Sequence, residues 1–363
     1  MKIYQLFTLC VFSVFCGCSS SQVKPSGNIF DGLEHFFTTP ENYVAAYTVQ
    51  PPKIDGNIDD EVWRPVAWTN AFLDIEGTSK PLPYYATRAK MLWDKDYLYI
   101  AAYMEEKHVW ANLTERDQII YMDNDFEVFI DPANTGHNYY EFEVNAFNTM
   151  FDLFLTKPYR SGAHVLISWD SKDLKHAVGI KGTLNNPADE DEGWTVEIAI
   201  PFKDISNTPK DGDIWRLGFS RVEWDMHVVD GKYVKQIDKN GKTLPEHNWV
   251  WSPTGEINMH MPERWGYLQF SKQEKNTQLP AFEMPYKELQ SKYLWLIFYR
   301  QQLYRKINGV YATSLKELHV PDVVSVADKS NTLSLIATPL QFTAEISDTS
   351  GKIIRINHEG SIN

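Results

Sequence analysis

The chain has 363 residues, 43% of them hydrophobic and 14% aromatic, and a net charge of −13. That length and apolar content are enough for a sizeable core and for more than one domain. The acidic balance repels phosphate backbones and argues against nucleic acid as a partner, and the interspersed charges are those of a solubilising surface.

The N-terminus reads as a targeting segment. Lys2 is followed by a nearly unbroken apolar run, Ile3 to Phe15. This run is shorter than the ~20 residues a spanning helix needs, so residues 1–17 are predicted to be a signal peptide. Gly17-Cys18 then resembles a bacterial lipobox, with a polar Ser19-Ser20-Ser21-Gln22 stretch directly after it. Cys18 is therefore the expected lipidation site, and residues 18–42 are expected to form a tether. All three cysteines, Cys10, Cys16 and Cys18, lie in this region. Cleavage before Cys18 leaves the mature domain without a thiol for a disulfide, a nucleophile or a cysteine metal site.

From Tyr43 to Ser271 short strands dominate. Ala89 to Trp93 and Tyr97 to Tyr103 flank a turn at Asp94-Lys95-Asp96, which predicts a hairpin. Phe126 to Ile130, Tyr140 to Asn145, Trp194 to Ile200 and Trp215 to Ser220 follow, each aromatic or β-branched and bounded by turn residues. The predicted fold is mainly β: an antiparallel β-sandwich with a small C-terminal α+β tail domain. Residues 272–285 read as a linker and 286–363 as the tail. Within the tail, apolar residues at helical spacing run from Tyr286 to Asn308-Gly309. Ser314 and Glu317 suit a capping box for a second, shorter helix, and three strands lie between Leu333 and Ile356. The segment after the first helix faintly resembles pilin-like head domains.

The stretch Asp123 to Pro132 carries most of the chemical interest. As a strand it places Asp123, Asp125, Glu127 and Asp131 on one face with Phe129, and Phe126, Val128 and Ile130 on the other. Glu141, Glu143 and Asn145 repeat the acidic row nearby. One reading is a plain solvated face. A second is a sugar site, in which carboxylates and amides bond hydroxyls while aromatic rings cover the sugar's apolar face. A third is a glycosidase-type carboxylate pair. A calcium site fed by Asp123, Asp125 and Asp131 is a weaker option, since the EF-hand glycine and spacing are missing. The histidines make no HxH or HExxH spacing, and neither a GxSxG elbow nor a phosphate loop occurs. No metal or other cofactor is otherwise expected. Trp63, Trp93, Trp194, Trp215 and Trp265 are expected in the core, leaving Trp110, Tyr121, Trp224 and Trp251 as candidate loop aromatics.

Six motifs in order resemble the family 9 carbohydrate-binding modules. They are Ile54 to Trp63 ("IDGxxDExxW"), Leu98 to Ala101, Asp125 to Asp131, Tyr140 to Asn145, Trp194 to Pro201 and Trp265 to Phe270. The resemblance covers residues 43–271, most closely in the long lipoprotein forms of Bacteroidetes-type bacteria, and implies a DOMON-like β-sandwich and sugar recognition. Sugar-binding members clamp a terminal sugar between two tryptophans. Glu127 matches an acidic position of that site and Asn145 an amide position, while Glu143 falls where an Arg is expected. Tyr121-Met122 and Met259-His260 stand where the clamp tryptophans should be, so the clamp is absent or rebuilt. The ligand-binding set expected on this basis is Tyr121, Asp125, Glu127, Glu143, Asn145, Trp224, Trp251 and His260, with no catalytic residue.

The expected function is a non-catalytic envelope lipoprotein that holds a glycan or oligosaccharide in support of carbohydrate catabolism. Its anchor would lie in the outer membrane of a Gram-negative bacterium, in either leaflet. The alternatives are a glycan-active enzyme that hydrolyses O-glycosyl bonds with the same carboxylates, and a structural or protein-interaction module of an envelope complex. Haem, which related DOMON domains hold, has no assignable His/Met ligand pair here.

Overall fold

The computed structural model describes residues 27–363. The expected signal peptide, Cys18 and the first part of the expected tether lie outside the described residues. In chain order the strands of the main sheet are β1 (Asn42–Tyr47), β2 (Leu73–Asp74), β3 (Thr87–Trp93), β4 (Tyr97–Glu105), β5 (Asp125–Asp131), β6 (Tyr139–Asn145), β7 (Met150–Leu155), β8 (Val165–Leu166), β9 (Lys175–Lys181), β10 (Gly193–Pro201) and β11 (Ile214–Glu223). A separate hairpin follows, β12 (Met226–Val229) with β13 (Lys232–Lys235). β14 (His247–Val250) and β15 (Gly266–Glu274) rejoin the main sheet.

The strands run in the order β8-β7-β6-β5-β11-β15-β1-β3-β4-β10-β9, with β14 and β2 continuing beyond the second half of β11. The sheet folds over one core to make a sandwich. Phe126, Val128 and Ile130 of β5 share a buried cluster with Met91 of β3, Ile100 of β4 and Val196 and Ile198 of β10. β1 makes the corner. It lies parallel to β15 along Asn42 to Ala46, shifts register at Ala46/Tyr47, and pairs in parallel with Leu92 and Trp93 of β3. A register shift of this kind lets one strand pass from one layer to the other. The other pairings are antiparallel, and the Ala89–Trp93/Tyr97–Tyr103 hairpin forms as β3–β4.

The Ile54 to Trp63 segment covers the outer face of β10. Glu197 Oε2 accepts hydrogen bonds from the Asp55 and Gly56 amides at 3.0 and 2.8 Å, and Trp63 Nε1 donates to its Oε1 at 2.7 Å. Trp63, Trp93, Trp194, Trp215 and Trp265 are all buried.

The C-terminal segment builds α1 (Tyr286–Asn308), capped by Gly309 in the left-handed region. An antiparallel sheet follows: β16 (Val323–Val326), β17 (Lys329–Ala337), β18 (Phe342–Asp348) and β19 (Ile353–Asn357). β16 was not expected. The second helix was expected and does not form. Ser314 Oγ still donates to Glu317 Oε2 at 2.8 Å, but the bond closes an isolated turn. The tether reading also gives way over its last residues. Phe30, Leu33, Phe36 and Phe37 pack against the α1 cluster, and Phe36 stacks on Tyr299 at 4.4 Å. Four apolar side chains in ten residues bury better than they hydrate, and α1 offers them an apolar face.

Candidate functional site

The inner row of β5, Phe126, Val128 and Ile130, is fully buried. Each such side chain stabilises the fold by roughly 1.5–3 kcal/mol. That gain holds the strand in place although its other face carries acids. Those acids do not lie on an open surface. Asp125, Glu127, Glu141 and Glu143 are all buried, none more than 5% exposed. Three loops roof them: Ile119 to Tyr121, the Tyr159 to Ile167 segment, and Ile257 to His260.

Between the roof and the sheet lies a cavity of about 480 Å³, within the ~300–1,000 Å³ common for small-molecule sites. Glu127, Phe129, Glu141, Glu143, Phe151 and Leu153 form its floor. Register sets this row: Glu127 pairs with Glu143 across β5–β6 and with Ser220 across β5–β11. Tyr121, Tyr159 and Ile257 stand at the rim, 40%, 53% and 72% exposed. Asn248, Asn258 and Glu246 add polar groups to the walls.

The electrostatics follow from crowding in a poorly hydrated place. Burial, and then the charge of Glu127, pushes the Glu141 carboxyl up to about 8. Burial first and the neighbouring carboxylates second raise Asp125, Glu127 and Glu143 well above the usual carboxylate range. His260 is pushed down to about 4 by burial. Its Nδ1 meets the Tyr139 hydroxyl at 2.9 Å, and its ring meets Tyr159 edge to face at 4.4 Å. Among the described residues that line the cavity there are four glutamates and no Lys or Arg.

The structure brings together Tyr121, Glu127, Glu143 and His260 from the expected set. Tyr121 and Met259-His260, read from the sequence as the positions replacing the clamp, line the same cavity. The other four expected residues do not line it. Asp125 lies beneath the floor and is fully buried. Asn145 is a turn-forming residue: its Nδ2 bonds Leu113 O and Asp123 Oδ2, and its Oδ1 accepts the Phe147 and Thr149 amides. Trp224 donates its Nε1 to Tyr121 O at 2.9 Å, which braces the Tyr121 loop from behind. Trp251 is 1% exposed, inside the sandwich against Phe219. Trp110 is buried beside Trp224. Indoles bury too much apolar area to be left on loops when a core is within reach, and the exposed aromatics that line the cavity are the tyrosines Tyr121 and Tyr159.

The calcium set Asp123, Asp125 and Asp131 is not assembled. Asp123 Oδ2 accepts the Asn112 and Leu113 amides, both at 2.8 Å. Asp131 sits at the opposite end of β5 from Asp125 and accepts the Ala133, Thr135 and Gly136 amides. Both close loops.

Sequence reasoning missed Tyr159, Glu246, Asn248 and Asn258. Tyr159 had a readable signal, an aromatic between Pro158 and Gly162 in a turn-rich segment. Its neighbour explains its position. Arg160 makes a two-point ion pair with Glu263 at 2.6 and 2.8 Å, and Tyr299 of α1 donates to the same carboxylate at 2.6 Å. Ser161 Oγ donates to Glu359 O, and Lys157 pairs with the Glu359 carboxylate. The tail thus holds one wall of the cavity.

The family described as carbohydrate family 9 binding domain-like matches residues 54–272. Exoglucanase XynX of Acetivibrio thermocellus is 29% identical over 215 residues, which is 58% of this chain and 16% of the relative, so the chain spans only a small part of that enzyme. Two solved structures of a family 9 carbohydrate-binding module from Caldicellulosiruptor kristjanssonii are similar at 16% identity. The complex with cellotriose covers 67% of this chain and all of its own, with a TM-score of 0.42. The complex with glucose covers 66% of this chain and all of its own, with a TM-score of 0.43.

Proposed function

The chain belongs to the carbohydrate family 9 binding domain-like family, and from that membership we propose that its roofed cavity holds a glycan or oligosaccharide without cleaving it. The observation that carries the reading is the pairing of exposed Tyr121 and Tyr159 at the rim with carboxyls and amides below them. Aromatic faces suit the C–H face of a sugar ring, and the polar floor suits its hydroxyls. The wider reading is an exported lipoprotein anchored through Cys18 in the outer membrane that supports carbohydrate catabolism. The signal-peptide pattern and the Gly17-Cys18 sequence support it.

Isothermal titration against a panel of mono-, oligo- and polysaccharides tests the binding. Tyr121→Ala and Tyr159→Ala are each expected to weaken the affinity about 3- to 10-fold. Folded protein that stays silent across the panel overturns the reading. For the anchor, Cys18→Ser is expected to abolish incorporation of labelled fatty acid.

A second reading has its own support. Carboxyls that hold protons near neutral pH are what a glycosidase needs as a general acid. Turnover of the bound glycan, lost in Glu127→Gln, would establish it.

A further inference from the structure

The floor of the cavity carries a bonding deficit that the glycan reading does not resolve. Asp125, Glu127 and Glu143 each offer a carboxylate oxygen, and these oxygens lie within 4.8 Å of one another. All three side chains are more than nine-tenths buried. The bonding of Asp125 and Glu127 is incomplete. Asp125 Oδ1 accepts the Val222 amide at 3.3 Å, but its Oδ2 has no partner. Glu143 Oε2 accepts the Tyr121 amide at 3.1 Å. Glu127 Oε2 has no partner. A fourth, uncharged group shares the deficit. The Ser220 hydroxyl, on β11 in register with Glu127, is fully buried beside that carboxyl but is not in hydrogen-bonding geometry with it. Buried polar atoms without partners are costly, and several in one place point to a missing partner.

We propose that Asp125, Glu127 and Glu143, with the Ser220 hydroxyl, hold one calcium ion beneath the cavity floor. The donors are all oxygen, which selects a hard cation. Calcium–oxygen distances of ~2.3–2.6 Å place opposed ligands up to roughly 5 Å apart, which spans the cluster. Magnesium, at ~2.0–2.1 Å and with a strict octahedron, fits less well. Glu127 and Glu143 border the cavity while Asp125 lies behind them. The ion's open coordination positions therefore face the cavity, where water fills them. The backbone amide of Tyr121, bonded to Glu143, ties the site to the rim. Ion binding does not depend on glycan binding, and the two are measured separately.

The test uses chelator-treated full-length mature protein and calcium chloride without any sugar, near neutral pH. Isothermal titration is expected to give one calcium per chain, tighter than magnesium, together with a rise in melting temperature. Asp125→Asn, Glu127→Gln and Glu143→Gln are each expected to weaken calcium about tenfold or more. The same variants, without calcium, are expected to melt no lower than the calcium-free wild type, because each replaces a crowded carboxyl, whose ionisation burial opposes, with a neutral amide of the same shape. A purely structural role predicts lower melting instead. Hydrogen exchange on the wild type adds a readout that needs no variant, with calcium slowing exchange in β5 and β6 and in the Tyr121 loop. The proposal is overturned by a wild type that binds no calcium at millimolar concentration. Tighter binding of magnesium than of calcium, protection confined to other segments, or calcium affinity retained in the Asp125→Asn/Glu127→Gln double variant would each overturn it as well.

Discussion

Gly56 sits at φ +85°, and a Cβ there would lie 2.6 Å from the Gly179 amide nitrogen. The close approach brings its own amide onto the buried Glu197 carboxylate. Gly56→Ala is expected to lower the unfolding free energy by about 2–4 kcal/mol in urea denaturation. Gly27→Ala, with open space around the added carbon, serves as the neutral control. The Ile54-Asp55-Gly56 motif could be read from the sequence because a turn leaves its mark in residue type. Its partner Glu197 could not, since nothing local links two groups so far apart in the chain. His260 gives a second prediction. Its folded value of about 4 lies below the ~6.5 of an unfolded histidine. Its contribution to stability is therefore complete above pH 6.5 and is lost as pH falls towards 4. The loss is at most about 3 kcal/mol, discounted for the solvent on its cavity side. His260→Gln is expected to flatten that part of the stability–pH curve, as measured by denaturation at a series of pH values.

At the level of elements, alternation told which face of each strand is which. Phe126, Val128 and Ile130 point to the core as their spacing requires. Alternation does not tell whether the other face is wet. From the sequence the acidic row of β5 and β6 could be a solvated face or a site; it is a covered floor, and the sequence does not tell which because the roofing loops come from distant parts of the chain whose paths depend on tertiary anchors. The Tyr159 segment shows the difficulty. Its aromatic faces the cavity because Arg160 is pulled the other way, onto Glu263 and over the Trp295 and Phe298 rings. Arg160→Met leaves the buried Glu263 carboxylate without its cation and is expected to cost about 3–5 kcal/mol in chemical denaturation. Glycan affinity is expected to fall with it, although Arg160 is not a lining residue of the cavity. Trp251 and Asn145 failed as site candidates for the same reason in reverse. Their residue types suit sugar binding, but an indole went to the core and an amide to a turn.

For the molecule as a whole, the sandwich class was legible because many short strands and few helices leave few architectures open. The corner made by β1 was not, since two short parallel pairings leave no periodicity to read. That corner has a consequence in time. The first strand of the sandwich to leave the ribosome is β1, and its long partner, β15, is the last. No layer can be sealed until nearly the whole domain has been made, so the nascent chain must wait with its apolar rows exposed. Non-local pairings of this kind slow folding to milliseconds or longer. Stopped-flow refolding of a chain that begins at residue 27 is expected to fall at the slow end for its size, and the same chain ended before Gly266 is expected to show no cooperative unfolding transition. Whatever holds such a chain unfolded during synthesis therefore decides whether the two walls of the cavity ever meet.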